Sequence, residues 1–452
     1  MKDGHQRYTE LNLIAAEQAK NILMRIDTKE FIPRKTQGAE FELFLVDDTT
    51  GHPVSETIRD SIIALCEKEM QKIGADITQE LGGCAVEIRT PPVEVKPGFA
   101  TNVCRVVGHS FNCLAKVSQL FRVIPLGAGT LGCENIPLTT TKEKYRRVPA
   151  YHNEHRRRSA SLRLGSTQTE LKGAESIAAT GSIHINIAAT DPEEALSIAN
   201  SGLAFDGLTT AIHANAPVIS GAVVPYQDVR IEAWERTHDT RDPRAVVAGQ
   251  SSRVGLPSDY FHSLRDYFDN VLINPILLDV PDEVALATKI GTSWWPVRMK
   301  FPNNLLLVEW RMPSAQPSAR ETSAAWVFLG GLAEAGRAGI VKLPEFAIVR
   351  ENSWRGRRGL DRDFLVENEH GATTRVPGRV AATSMFYLAR EGLRCLDALD
   401  DKAEELIVGL EKRVWSGMTP AKTLVSVIHE YQQKMPLPQA IALAQLHLQR
   451  VA

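Results

Sequence analysis

The chain predicts an α+β fold built on an antiparallel sheet, and three observations carry that prediction. Short segments alternate apolar and polar residues with period two, the mark of half-buried strands. Helical stretches separate them irregularly rather than in a βαβ rhythm. Turns such as Gly82-Gly83 and Pro302-Asn303 flank the strands. Taken in order, helical periodicity first runs over 8–28, where Leu11, Ile14, Ala15 and Ile22 form a stripe. It returns at 54–74, 98–121, 192–216 and 259–271. Beyond about 376 the pattern is helical to residue 452, with Met385, Leu388, Leu393 and Leu396 leading into further amphipathic stretches. No repeat and no long Pro-, Gly- or Ser-rich linker divides the chain. The expected organisation is a main domain over 1–375 and a helical C-terminal extension over 376–452 packed on the same domain.

Composition sets the outer limits. With 43% hydrophobic residues in 452 the chain can bury a sizeable core, which excludes disorder as its dominant state. Lys+Arg number 52 against 54 for Asp+Glu, a balance that argues against a nucleic-acid coat or a membrane-surface protein. Cys66, Cys84, Cys104, Cys113, Cys133 and Cys395 form no CxxC pair, so neither a zinc ribbon nor a redox motif is indicated. The start, MKDGHQRYTELNLIAAEQ, lacks the apolar core of a signal peptide, and no run approaches a bilayer span. The cytoplasm is the expected compartment. Subunit number has no signal here.

Four alternating segments share one property. In Gly38–Asp47, Ala39, Phe41, Leu43 and Leu45 point one way and Glu40 and Glu42 the other. In Cys84–Thr90, Val86 and Ile88 oppose Glu87 and Arg89. In Gly181–Ile187, Ile183, Ile185 and Ile187 oppose Ser182, His184 and Asn186. In Leu305–Met312, Val308, Trp310 and Met312 oppose Glu309 and Arg311. For one such strand the ordinary reading is a solvated outer face. Four strands that together carry four glutamates, one histidine and two arginines shift the balance. A carboxylate-rich face with no lysines repels itself unless cations bind.

The donor types point to the cation. Carboxylates with at most one imidazole suit hard divalent ions, Mg²⁺ or Mn²⁺, rather than zinc. Mg²⁺ held this way usually shares its shell with phosphates, so a nucleotide is the natural partner. Arg298, Arg311, Arg355, Arg357 and Arg358 lie near these strands or in a short basic loop, and guanidinium forks match phosphate geometry.

In this order GAEFELFLVD, AVEIRTP, GSIHINIA, WWPVR…VEWRMPSAQP and ENSWRGRRGLD resemble the glutamate–cysteine ligase family, its second, bacterial and plant-like group, with the related carboxylate–amine ligases. The resemblance covers roughly 36–365. It implies a glutamine-synthetase-like fold, a curved antiparallel sheet with flanking helices holding ATP, metal ions and an amino acid, and makes 1–375 the catalytic ligase domain. ATP would phosphorylate a substrate carboxylate, and an amine would attack the acyl phosphate to form a γ-glutamyl-type amide. Carried over by position, Glu40 and Glu42 match the acids of a G-x-E-x-E strand, Glu87 and Glu80 further metal ligands, His184 the histidine and Glu309 the glutamate of an ExR strand. Arg311 would stabilise the transferred phosphoryl group and bind nucleotide, and Arg298 would be a second anion-binding catalytic group. Either Arg357 or Arg358 takes the place of a later nucleotide-site arginine. Tyr145 and Arg146 match a pair that holds the amino-acid carboxylate, and Asn186 falls in the same substrate-binding set. Two departures stand out: Ser314 where relatives carry Asp, and a loop at 354–360 one residue short.

Other signals are weaker. The basic stretch Lys142–Arg158 has too few aromatics and too little support from net charge for nucleic-acid binding. Gly127–Gly132, GAGTLG, lacks the Lys-Ser/Thr of a P-loop and reads as a turn. Cys84 falls on an apolar face, and Trp294-Trp295 reads as core packing. The partners expected are small molecules, a glutamate-type acid and an amino acid or amine, with no nucleic acid and no membrane. Two other functions fit the residues, a phosphotransferase on the same scaffold and a nucleotide-binding regulatory protein without turnover. The intact acidic set speaks against the latter.

Overall fold

The longest alternating segment becomes the spine of the sheet. A computed structural model describes residues 4–27, 32, 34–143, 145–147, 149, 160–164, 167–368 and 370–452. Its strands in chain order are β1 Thr36–Asp47, β2 Asp76–Gln79, β3 Ala85–Arg89, β4 Val93–Glu94, β5 Val123–Leu126, β6 Ala160–Leu164, β7 Thr167–Leu171, β8 Ile183–Ala189, β9 Val218–Ile219, β10 Ala222–Val223, β11 Val297–Lys300, β12 Leu306–Trp310, β13 Asp363–Glu367 and β14 Thr373–Pro377. The main sheet runs β11-β12-β8-β1-β3-β2, with β4 and β5 pairing on other stretches of β1. Every pairing in it is antiparallel.

The helices fall where the periodicity places them: Gly4–Asp27, Glu56–Gln71, Phe99–Gln119, Pro192–Ile212 and Leu264–Leu272. The last begins later than the apolar pattern because Ser263 caps it, its hydroxyl accepting from the Asp266 amide. One face of the sheet packs on Pro192–Ile212 and on the helix Ala319–Arg337. Phe41, Leu43, Val86, Ile88, Ile183, Ile185, Ile187, Val308 and Trp310 are buried there, as period-two alternation requires. Cys84 is buried on that side, and all six cysteines are free thiols.

Four helices follow β14: Gly378–Arg394, Asp401–Ser416, Pro420–Gln432 and Leu437–Val451. The first meets Ala319–Arg337 backbone to backbone. A Cβ on Gly331 would stand 2.3 Å from the Ala389 carbonyl oxygen, and one on Gly392 1.9 Å from that of Gly331, so only glycine permits the crossing. Ala382, Phe386, Ile407 and Leu446 join the same hydrophobic cluster as the sheet. β14 spans the boundary expected at 375/376. GAGTLG bends at Gly129, and its glycines serve close packing: Cβ atoms on Gly127 and Gly129 would lie 2.0 Å from the Gln316 carbonyl oxygen and 2.3 Å from Ser314 Oγ. No helix among the described residues is long and apolar enough to cross a membrane.

Candidate active site

The polar face of the sheet is not a solvated outer face. His184 is 3% exposed and Glu309 0%, so the ordinary reading of these strands is excluded and their charges must be met inside the protein. Register brings them together: Glu40 pairs with His184 across β1 and β8, Glu42 with Glu87 across β1 and β3, and Glu309 with Asn186 across β12 and β8.

The face divides into two corners of opposite electrostatic character. In the first, Glu309 is ion-paired to Arg298, to Lys300 and, at 2.9 Å, to Arg311. Burial pushes the Glu309 pKa up, yet the three cations outweigh it and hold the carboxyl well below the usual range. Glu40 borders the same corner. Its Oε1 accepts from Asn186 at 3.1 Å and lies 3.4 Å from Lys300 Nζ, while Oε2 is 3.2 Å from His184 Nδ1. Burial and Glu309 oppose its charge, but His184 and Lys300 prevail and its pKa falls to about 2.

Lys300 overturns the expectation of a lysine-free face. It follows Arg298 by two residues in β11, so the same alternation that placed Arg298 places Lys300 beside it, and that was the available signal.

In the second corner Glu42, Glu80 and Glu87 converge. Burial first, then the Glu80 charge, raises Glu42 to about 7. Burial followed by Glu80, Glu40 and Glu42 pushes Glu87 well above the carboxylate range. Arg89 reaches Glu87 only at 3.7 Å, from a half-exposed position. Glu80 accepts from Tyr145 OH at 2.8 Å, which explains why the Tyr145 phenol is pushed up by burial and by that carboxylate.

His184 stands between the corners. Burial, then Arg311, lowers its pKa to about 4, so it is neutral at pH 7 and carries one ring proton. The hydrogen-bond network assigns that proton to Nδ1, facing the Glu40 carboxylate. Nε2 then presents its lone pair toward the second corner, 2.7 Å from Ser182 Oγ and 4.0 Å from Glu42 Oε1. Ser182 Oγ is also 2.8 Å from Glu42 Oε2, and its one hydrogen cannot serve both neighbours. A proton on Glu42 closes the count, in keeping with its raised pKa. Atoms of Glu42, Glu87 and His184 lie within 4.8 Å of one another, as do those of Glu40, His184 and Glu309, so each corner could hold a cation.

Other expected residues sit elsewhere. Arg311 lines a cavity with Glu42, Ser182, His184, Trp234 and Trp294. The Arg298 guanidinium is committed to Glu309 and donates to the Gly291 carbonyl at 3.0 Å. Arg357 stands apart from the sheet face, bound to Glu235 at 2.6 Å and Glu232 at 3.0 Å. Arg358 stacks on Trp354, 4.3 Å from its ring centre, and on Tyr226. Arg146 is exposed. Both tryptophans of the pair line the cavity: Trp295 is buried in the core, whereas Trp294 is half-buried with its ring 4.6 Å from that of Trp234. Ser314 is buried and donates to Asp228 Oδ2 at 2.6 Å; Asp228 is in turn gripped by Arg230. Sequence reading passed over Asp228 and Trp234, which lie in an irregular loop and a short helix where alternation says nothing.

Residues 36–439 match the family described as glutamate–cysteine ligase family 2. The chain belongs to that family. It is thus a carbon–nitrogen bond-forming ligase, a carboxylate–amine ligase of the glutamate–cysteine ligase type. Among curated relatives it is 25% identical over 397 residues to "Putative glutamate–cysteine ligase 2" of Thermobifida fusca (strain YX), covering 84% of this chain and 86% of that one. It is 24% identical over 349 residues to "Putative glutamate–cysteine ligase 2-1" of Rubrobacter xylanophilus, covering 74% and 77%. A solved glutamate–cysteine ligase from Francisella tularensis in complex with AMP superposes with a TM-score of 0.58 at 10% identity, over 93% of this chain and 89% of that one. The glutamine-synthetase-like fold expected from the motifs is therefore the observed one, an antiparallel sheet with flanking helices.

Proposed function

We propose that this ligase uses ATP and Mg²⁺ or Mn²⁺ to activate the carboxyl group of a glutamate-type acid as an acyl phosphate, which an amino acid or amine then converts to an amide. The observation that carries the reading is the second corner, where Glu42, Glu80 and Glu87 meet the lone pair of a neutral His184. Their mutual repulsion, seen in the raised Glu42 and Glu87, is what a hard divalent cation relieves. Oxygen donors with one imidazole fit Mg²⁺ or Mn²⁺. Glu42, Glu87 and His184, with Glu80 behind them, would hold the ion, which would neutralise phosphate charge and orient the phosphoryl group.

The remaining steps belong to the chain's own groups. Arg311, held by Glu309 and facing the cavity, is fixed for an anionic phosphoryl oxygen without reorganising. Glu40 keeps His184 in one tautomer, so the Nε2 lone pair always faces the same side. Trp234 and Trp294 wall the cavity and limit water there, which protects an acyl phosphate from hydrolysis. The AMP-bound state of the Francisella tularensis protein supports a nucleotide in this fold.

The test is ADP release with ATP and Mg²⁺ against amino acids singly and in pairs, with hydroxylamine as trap. Hydroxamate from one acid is the expected result. A phosphorylated product that resists hydroxylamine would point to a phosphotransferase. ATP turnover by Glu87→Gln at the wild-type rate would overturn the metal assignment.

A further inference from the structure

The two corners of the polar face invite the same cation by ligand type, yet their charges differ. Around Glu309 and Glu40, two carboxylates already face three side-chain cations, Arg298, Lys300 and Arg311. Lys300 is the one that bridges: its ammonium pairs with Glu309 Oε1, lies 3.4 Å from Glu40 Oε1 and donates to Asn186 Oδ1 at 3.2 Å. A divalent ion placed between Glu40 and Glu309 would occupy the position of that ammonium and add two charges to a corner already in positive excess. Around Glu42, Glu80 and Glu87 three carboxyl groups converge instead, and the arginine nearest to Glu87 stands 3.7 Å away on a half-exposed side chain. His184 reaches both corners, its Nδ1 3.2 Å from Glu40 Oε2 and its Nε2 4.0 Å from Glu42 Oε1.

We infer that Lys300 is a built-in cation that fills the Glu40–Glu309 corner, so that a divalent ion bound by the protein alone goes to Glu42, Glu87 and His184. This rests on the metal-dependent reading above and deepens it. An ammonium carried on β11 is present at every stage of turnover and at any metal concentration. It keeps Glu309 charged and in place, and through Glu309 it positions Arg311. Metal availability then controls the Glu42–Glu87 corner alone. Lys300 acts here as a positioning residue, since it touches Glu40, Glu309 and Asn186 rather than substrate.

Mn²⁺ binding to the nucleotide-free protein, followed by electron paramagnetic resonance and equilibrium dialysis, tests this without reference to turnover. Wild type is expected to bind one Mn²⁺ per chain. Lys300→Met should bind a second, whereas Lys300→Arg, which keeps the charge, should stay at one. An unchanged stoichiometry in Lys300→Met, with wild type binding one, overturns the inference and leaves the ligase reading standing. No Mn²⁺ bound by any variant overturns both. If Lys300→Met does not fold, two other variants decide. Glu87→Gln should weaken the wild-type site at least tenfold while Glu40→Gln, which still accepts from His184, changes it less than threefold. Equal weakening in the two refutes the assignment of the ion to one corner.

Discussion

Glu309 and Glu42 lie on the same sheet face, and neutralising them should move stability in opposite directions. Glu309→Gln leaves Arg298, Lys300 and Arg311 facing one another with only Glu40 among them. Breaking a buried ion pair from one side destabilises by about 3–5 kcal/mol. With an unfolding entropy of roughly 2.1 cal/mol/K per residue, a chain of 452 residues loses about 3–5 °C in apparent Tm. Glu42→Gln does the reverse. The Glu42 pKa is raised by burial and by Glu80 from 4.5 to about 7. A raised acid stabilises fully below its unfolded pKa, and that contribution is lost as pH rises through the folded value. Above about pH 7 the ionised group therefore costs on the order of 1–3 kcal/mol, which the neutral glutamine avoids while its amide oxygen still accepts from the Ser182 amide and hydroxyl. In metal-free buffer Glu42→Gln should melt 1–3 °C above wild type at pH 8 and level with it at pH 5. Scanning calorimetry in chelator at the two pH values measures both variants. A Glu42→Gln protein that melts as low as Glu309→Gln at pH 8 would refute the division of the face into two corners.

Three further outcomes follow from the same contacts. Mn²⁺ affinity should fall about tenfold or more between pH 8 and pH 6 as Glu42 takes a proton; because His184 titrates near 4, a binding midpoint at pH 4 would contradict the ligand set. Arg357→Gln strips the arginine from Glu235 and leaves Glu232 with Arg236 alone, and should destabilise by about 3–5 kcal/mol, with Arg357→Lys recovering only part because an ammonium cannot match the fork; chemical denaturation reads both. Gly129→Ala forces its methyl onto Ser314 Oγ and the Asn215 carbonyl and should lower the melting temperature by several degrees, while Gly249→Ala, with open space but a φ of +69°, should shift it by far less.

Much of this architecture was legible because alternation is local. Ala39, Phe41 and Leu43 against Glu40 and Glu42 name the two faces of β1 whatever lies next to it, and motif order names the family. The helices were legible for the same reason, except that the Ser263 cap starts one of them later than its apolar pattern. Partnership was not. Glu309 and Lys300 are nine residues apart in sequence, but their pairing depends on the β11–β12 register, which sets Arg298 opposite Glu309. Glu40 meets that pair only because β8 lies between β12 and β1. Arg357, one of two candidates for a nucleotide-site arginine, is bound by Glu232 and Glu235, more than a hundred residues away. Ser314, read as a lost acid, is bonded to Asp228 from another loop. The amino-acid sequence by itself determined which side chains share the polar face and what class of cation their donors suit. Only the tertiary structure decided which carboxylates already have a cation, because charge balance in a buried site is set by distances between strands and not by order along them.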